Sequence, residues 1–412
     1  ALHISTNDCD SGVSTSSGDQ SQAELDILQL AQSHFASQAL LAAMRMGVLD
    51  VLEIAPDGKN TVSLTVDEII AKIHQPETIN RDALFRCLRL LCTTGVIKET
   101  TKNINDTSES AFCLTEMGQL LQRPESCSGT SSMAPFLLHW TEEPIWNAWS
   151  QLPDYVAGKY NSHDCIPAEG DVSSHSPFDS NLPPFDRANG MSASDYYKSN
   201  PESCSHRNAV ARYASSKEII SILDAMQSSS TLNESILAGK TVVDIGGGYG
   251  DLMTELKTSV PTVGKCYCLD LPDVIADAIS TNNDSEQERV AILTPGDMFD
   301  PSTIPVCDLI VTKHVLCDFS DKDVVRALQA FQHVLSKGGK VVIMDAVLPN
   351  ENELNGKWNA AVSFDVLLML TGRRGERSRL EWSNLAAKAG FVLEDVLSTS
   401  SVTVDMAVLS LA

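Results

Sequence analysis

Asp244-Ile245-Gly246-Gly247-Gly248-Tyr249-Gly250 is the stretch from which the rest of this chain is read. The triplet Thr241-Val242-Val243 before it predicts a short strand, and Leu252 to Lys257 after it predicts an amphipathic helix. A strand, a glycine-rich turn and a helix in that order make a nucleotide-type site. Glycine takes positive φ at no steric cost and lets the backbone approach a ligand. The helix start adds free N–H groups at the positive end of its dipole. The next apolar segment, Cys266-Tyr267-Cys268-Leu269-Asp270, ends in a carboxylate placed to accept both hydroxyls of a ribose.

An ordinary tight βα turn would also be rich in glycine, and the spacing here is not the G-x-G-x-x-G of the dinucleotide fingerprint. Asp244, inside the turn, would repel a phosphate. A cationic or zwitterionic ligand with a ribose suits the stretch better. S-adenosylmethionine (SAM), with an ammonium, a sulfonium, a ribose and no phosphate, meets that description.

Strands and helices alternate from residue 237 onward, with strands expected at 241–245, 265–269, 290–293, 307–312, 339–345, 390–396 and 402–409. That alternation predicts an α/β fold with a doubly wound sheet, whose ligands sit beyond the carboxyl ends of the strands. Upstream, residues 1–22 are rich in Ser, Asp, Gly and Gln and predict a disordered tail. Residues 23–53 carry apolar positions at helical spacing, with a break at Gly47. Thr65 and Glu68 form a capping box at a second helix start, and a third helix spans 80–93. Gly95-Val96-Ile97, a charged loop and Ala111-Phe112-Cys113-Leu114-Thr115 complete a winged-helix pattern over 23–130. Arg81, Arg86 and Arg89 are basic, but no wider basic surface supports DNA binding, so packing or dimerisation is the expectation. Residues 131–236 read as a helical linker, interrupted by a Ser/Pro/Asp/His-rich insertion at 161–184, and 237–412 as the ligand-binding domain.

The length of 412 residues allows two or three domains, and the net charge of −24 argues against a nucleic-acid partner, which needs basic surface. No apolar run reaches the ~18 residues of a membrane span, and the N-terminus shows no signal-peptide pattern. Eleven scattered cysteines, an odd count, predict a reduced cytoplasmic protein without a disulfide framework or a metal site. Cys266 and Cys268, two apart in a strand, are expected to face one side.

Together these residues resemble the SAM-dependent O-methyltransferases of the plant caffeate/flavonoid type and their fungal relatives. The likeness rests on Val243 through Gly250, Leu269-Asp270-Leu271-Pro272, Gly296-Asp297-Met298-Phe299, Lys313 through Asp321, Gly338-Gly339-Lys340 and Glu376-Arg377-Ser378. It implies a Rossmann-like class I methyltransferase domain, SAM as cofactor and a homodimer formed through the N-terminal winged-helix domain. The cofactor residues it implies are Asp244, Gly246, Gly248, Asp270, Leu271, Asp297, Met298 and Lys313. Asp270 would take the ribose, Asp297 and Met298 the adenine, and Lys313 the methionine end.

One departure decides the chemistry. The family reads K-x-x-x-H-D-W-S-D, with His as general base, whereas this chain reads Lys313-His314-Val315-Leu316-Cys317-Asp318-Phe319-Ser320-Asp321. Cys317 stands at the base position, His314 lies three residues earlier in the strand-to-turn region and cannot substitute without a register shift, and a supporting Glu is replaced by Asp345 while Glu376 remains. A thiol, with a pKa of about 8.5, is a poor substitute for imidazole at about 6.5, and general-base help is worth about 10²–10⁴-fold. The pattern is similar to the fungal O-methyltransferase-like pericyclases. Those enzymes dehydrate an alcohol to a quinone methide and close a ring by a hetero-Diels–Alder or Alder-ene step in pyridone alkaloid pathways.

On that reading Lys313, His139, Cys317, Asp318 and Glu376 are the catalytic candidates, and Phe136, Trp140 and Met369 line the substrate pocket. Asp318 is alternatively structural, capping the turn before the helix at 321–335, and Arg373, Arg374 and Arg377 are expected as surface or loop charges, one of which could orient a substrate oxygen. A genuine O-methyltransferase acting on a phenol or enol is the competing reading. A SAM-binding regulator without catalysis has no dedicated partner surface to support it.

Overall fold

A computed structural model describes residues 21–54, 63–73, 78–104, 107–123, 132–158, 182–281, 290–350, 353–354 and 359–412. Most of the expected tail (1–20) and insertion (up to 181) lies outside these residues. Where the tail was expected to continue, Ser21 instead starts a helix over Gln22–Arg45: its hydroxyl accepts from Glu24 N–H and the Glu24 carboxylate accepts from Ser21 N–H. That reciprocal pair satisfies two orphan donors, which fixes the helix start.

The chain divides into two compact units. The expected segment 131–236 is shared between them: 132–150 and 194–213 belong to the first, 151–158, 182–193 and 214–236 to the second.

In the first unit, helices Val66–Lys72 and Arg81–Thr93 precede a hairpin of β2 (Ile97–Ile104) and β3 (Thr107–Leu114), with the short β1 (Leu64–Thr65) on the other edge of β3. The Thr65/Glu68 capping box is present. Most of the expected charged loop is in fact strand: residues 98–104 and 107–110 lie in two eight-residue strands paired in register from Ile97↔Leu114 to Ile104↔Thr107. Leu84, Leu88 and Leu91 bury one face of the third helix against Ile69, Ile97 and Phe112. Arg81 pairs with Asp67 at 2.7 Å and Arg89 with Glu99 at 3.4 Å.

The second unit is built on a seven-stranded sheet. Its strands are β4 (Val242–Ile245), β5 (Cys266–Asp270), β6 (Ile292–Pro295), β7 (Cys307–Lys313), β8 (Leu335–Asp345), β11 (Phe391–Ser398) and β12 (Asp405–Leu411), and the spatial order is β11-β12-β8-β7-β4-β5-β6. Pairing is parallel from β8 through β6 and antiparallel for β12 against both its neighbours. A minor parallel pair joins β9 (Val347–Leu348) to β10 (Arg377–Ser378).

The central strands are apolar on both faces, and period two sends alternate residues to two cores. Val242, Cys266, Cys268, Leu309, Val311, Val342 and Met344 join the core on one face, with helical residues Ile222, Met226, Leu252 and Leu256. Val243, Ile245, Ile310, Val341 and Ile343 join the other, with Leu328, Phe331, Trp382 and Leu385. Cys266 and Cys268 do share a face. The order of the sheet reverses at β4, which has β5 on one side and β7 on the other. A crevice at the carboxyl ends of these three strands is the ligand position of an open α/β sheet.

Candidate active site

The glycine turn sits at that reversal. Gly246 (φ 72°), Gly248 (φ 59°) and Gly250 (φ 85°) all lie in the left-handed region. A Cβ on Gly246 would come within 2.4 Å of Val315 Cγ2, and one on Gly247 within 2.6 Å of Asp244 Oδ2, whereas one on Gly248 would meet nothing within 4 Å. The turn is thus packed underneath and open above Gly248. Asp270 closes β5 and accepts hydrogen bonds from Gly248 N–H (2.9 Å) and its neighbour Leu271 N–H (2.7 Å). Leu271 is exposed, Met298 is buried, and Asp297 accepts from Phe299 N–H at 2.9 Å.

Asp244 is buried, and its Oδ1 has no hydrogen-bond partner among the described residues. Burial pushes its pKa up to about 7; Lys313 opposes that rise and Asp270 adds to it. An orphaned buried carboxylate oxygen beside a second carboxylate suits a cationic ligand and disfavours a phosphate. The residues present therefore fit SAM: Asp244 would face its positive charges and Asp270 would take the ribose.

The base position is a different environment. Cys317 lies in a 3₁₀ turn, Leu316–Asp318, after β7, and is 3% exposed. Burial, then the charges of Asp345, Glu376 and Asp318, hold its thiol well above the ordinary range. Asp345 and Glu376 are themselves buried, each with one carboxylate oxygen lacking a partner among the described residues. Burial pushes both above the usual carboxylate range, and for Glu376 the neighbouring Asp345 pushes further. Around position 317 the structure therefore places a neutral thiol and protonation-prone carboxyls.

Ser320 caps the following helix, Asp321–Gln332, its Oγ accepting from Asp323 N–H, while Asp318, in the turn before it, receives Arg373 Nη1 at 2.7 Å. One expectation is corrected here. Arg377 is not a surface charge. It is fully buried, donating to Leu316 O (2.9 Å), Phe319 O (2.7 Å) and Asp321 Oδ1 (2.9 Å), and so it ties down the segment that carries Cys317. Arg374 is engaged as well, with Glu376 O and Glu381 at 2.6 Å each. Met369 is half-buried on helix Ala360–Leu370, which also carries Asp365, the acceptor for Glu376 N–H at 2.9 Å.

Sequence reasoning missed Glu218. It lies on helix Pro201–Ser228, is 3% exposed, and receives Lys313 Nζ at 3.2 Å on one oxygen. Its other oxygen takes Thr403 Oγ1 at 2.7 Å and His314 Nε2 at 3.0 Å. Burial alone would raise its pKa, but the hydrogen bond from His314 and the charge of Lys313 override it and hold the carboxyl far below the usual range. In the sequence Lys217-Glu218 reads as a solvated helix face, and nothing local signals its partners.

Phe136, His139 and Trp140 share a helix of the first unit, Ala134–Thr141. Phe136 stacks edge-on against Trp140 (5.1 Å) and Tyr213 (5.4 Å). His139 is buried, with Nδ1 2.8 Å from Glu142 Oε1; Glu142 Oε2 accepts from Ser203 Oγ at 2.7 Å.

A family model of the O-methyltransferase domain matches residues 174–392, and one of the O-methyltransferase dimerisation domain matches residues 28–123. The chain belongs to the O-methyltransferase family, with a class I methyltransferase fold, an N-terminal dimerisation domain and SAM as its cofactor. "Probable O-methyltransferase 3" of Humulus lupulus is 26% identical over 374 residues, covering 86% of this chain and 84% of that one. The SAH-bound structure of CalO1, a methyltransferase in calicheamicin biosynthesis, has a TM-score of 0.70 at 24% identity and covers 96% of this chain and 100% of its own. A structure described as a pericyclic reaction enzyme has a TM-score of 0.66 at 18% identity, covering 95% and 90%. The dimerisation match supports a homodimer. It also gives a context for the apolar residues Leu25, Ile27, Leu28, Leu30 and Phe35, all exposed on the first helix. Among the described residues no helix is long and apolar enough to cross a membrane.

Proposed function

We propose that this chain is a SAM-binding pericyclase on an O-methyltransferase fold. It takes the alcohol precursor of a polyketide–peptide pyridone, removes water to give a quinone methide, and closes a ring by a hetero-Diels–Alder or Alder-ene step. The observation that carries this reading is Cys317: the family's base position holds a buried thiol with a raised pKa, among carboxylates that disfavour its ionisation further. A base of that kind cannot deprotonate an ordinary phenol at neutral pH, whereas a pericyclic closure needs none.

The rate of such a closure comes from restricting the reacting conformations and from fixed dipoles aimed at the charge that develops. Bound SAM supplies a fixed positive sulfonium to that field. Lys313 is the proposed donor to a polarised substrate carbonyl from its place at the end of β7. Cys317, Asp318 and Glu376 shape the former base site. Met369 is a proposed apolar contact to the substrate.

The second reading is a genuine O-methyltransferase on an acidic phenol or enol, and it is supported by the curated relatives, which are named as methyltransferases. Mass analysis of a pyridone carbinol incubated with enzyme and SAM separates the two. The pericyclase gives substrate minus water, whereas a product heavier by one methyl would replace this reading with the second.

A further inference from the structure

With Cys317 silent, loss of water still requires a proton to leave one oxygen and reach another, and the same strand end offers a second imidazole. His314 is the one non-glycine residue with positive φ (53°) among the described residues. Its backbone is pinned there, its N–H shared between Met344 O (3.1 Å) and Asp345 Oδ1 (2.9 Å). Backbone held in a sparsely populated region clusters at working sites. The ring is anchored through Nε2 on Glu218, a carboxylate that is 3% exposed and also held by Lys313 and Thr403, while the side chain itself remains one-third exposed. Its neighbour Val315 packs under Gly246, which places His314 beside the cofactor turn.

We propose that His314 is the proton-transfer residue of this enzyme, with Glu218 as its positioning residue, so that the family's acid–imidazole pair has moved three residues toward the strand. This rests on the dehydration reading above. Donation of Nε2–H to the carboxylate fixes the tautomer and leaves Nδ1 as the acceptor. Nδ1 takes the proton of the pyridone ring hydroxyl. The freed O–H electron pair forms the ring carbonyl, the ring electrons shift to make the exocyclic C=C, and the carbinol C–O bond breaks. The departing hydroxide takes the proton back from Nδ1 and leaves as water. The imidazole ends neutral, and nothing is oxidised or reduced.

The test uses the full chain with SAM and a pyridone carbinol. Asparagine tolerates left-handed backbone, so His314→Asn removes the proton acceptor while keeping the turn. Its expected effect is a fall in dehydration of about 10²–10⁴-fold with SAM affinity unchanged, and imidazole added to His314→Gly should restore turnover. Glu218→Gln should displace the pH–rate profile. The charged groups facing the ring in that profile are Glu218, Lys313, Asp345 and Asp318. Wild-type dehydration by His314→Asn, or a Glu218→Gln enzyme that loses stability with no displaced profile, overturns the proposal. If the wild type methylates instead of dehydrating, the functional reading fails by itself. The same variants then test the dyad on methyl transfer, where loss sustains it and retention overturns it.

Discussion

Asp244 makes the cofactor site costly to keep empty, and the cost can be measured. Its carboxyl rises from 3.8 to about 7, chiefly through burial, and at about 1.4 kcal/mol per pKa unit that corresponds to about 4 kcal/mol. The sign follows from proton counting. Between pH 3.8 and about 7 the folded chain keeps a proton that the unfolded chain has released, so stability from this group falls as pH rises through that window. Above about pH 7 the full penalty applies.

Asp244→Asn removes the charge but leaves a buried amide, whose unsatisfied groups cost about 1–3 kcal/mol. Relative to wild type, the cofactor-free variant should gain about 1–3 kcal/mol at pH 8 and be neutral or worse at pH 4, by urea midpoints at both values. The cationic cofactor lowers the Asp244 pKa when it binds. Titration calorimetry near pH 7 in buffers of different ionisation enthalpy should therefore show proton release on SAM binding to wild type and less in the variant. A variant that shifts the midpoint equally at both pH values, with unchanged proton release, would show that Asp244 carries no such penalty.

Gly246→Ala should abolish SAM binding or folding, because its Cβ meets Val315 Cγ2 at 2.4 Å. Gly248→Ala, with open space around it, should cost only the positive-φ penalty of about 1–2 kcal/mol, by thermal melts and SAM affinity. Arg377→Met should destabilise by roughly 3 kcal/mol in urea unfolding, since two buried carbonyls lose their donor. Ile27→Asp with Leu30→Asp should convert the dimer to monomer in light scattering; a persistent dimer would place the interface elsewhere. Cys317→His should overpack its enclosed position by about 1–3 kcal/mol yet raise methyl transfer to an acidic phenol. No gain would show that the base position is not what withholds methylation.

What the sequence made legible was local chemistry. The glycine turn, the carboxylate ending β5, the Thr65/Glu68 cap and the period-two strands each follow from residues close together in the chain, and the structure places them as expected. The charged stretch between Ile97 and Ala111 was misread because two solvent-facing strands carry as many polar residues as a loop does. Glu218, Arg377 and Thr403 were illegible for another reason. Their partners lie 95, 61 and 185 residues away, and a lone Glu or Arg on a helix or turn gives no sign that its charge will be buried. The unusual residue at 317 was plain in the sequence; that burial, and then the neighbouring carboxylates, push the thiol further from ionisation was not.

On the proposed pericyclase reading SAM is held and not used up. The most direct measurement counts S-adenosylhomocysteine against ring-closed product over many turnovers of a pyridone carbinol. A pericyclase accumulates product with no accompanying S-adenosylhomocysteine. One S-adenosylhomocysteine for each product molecule would contradict it.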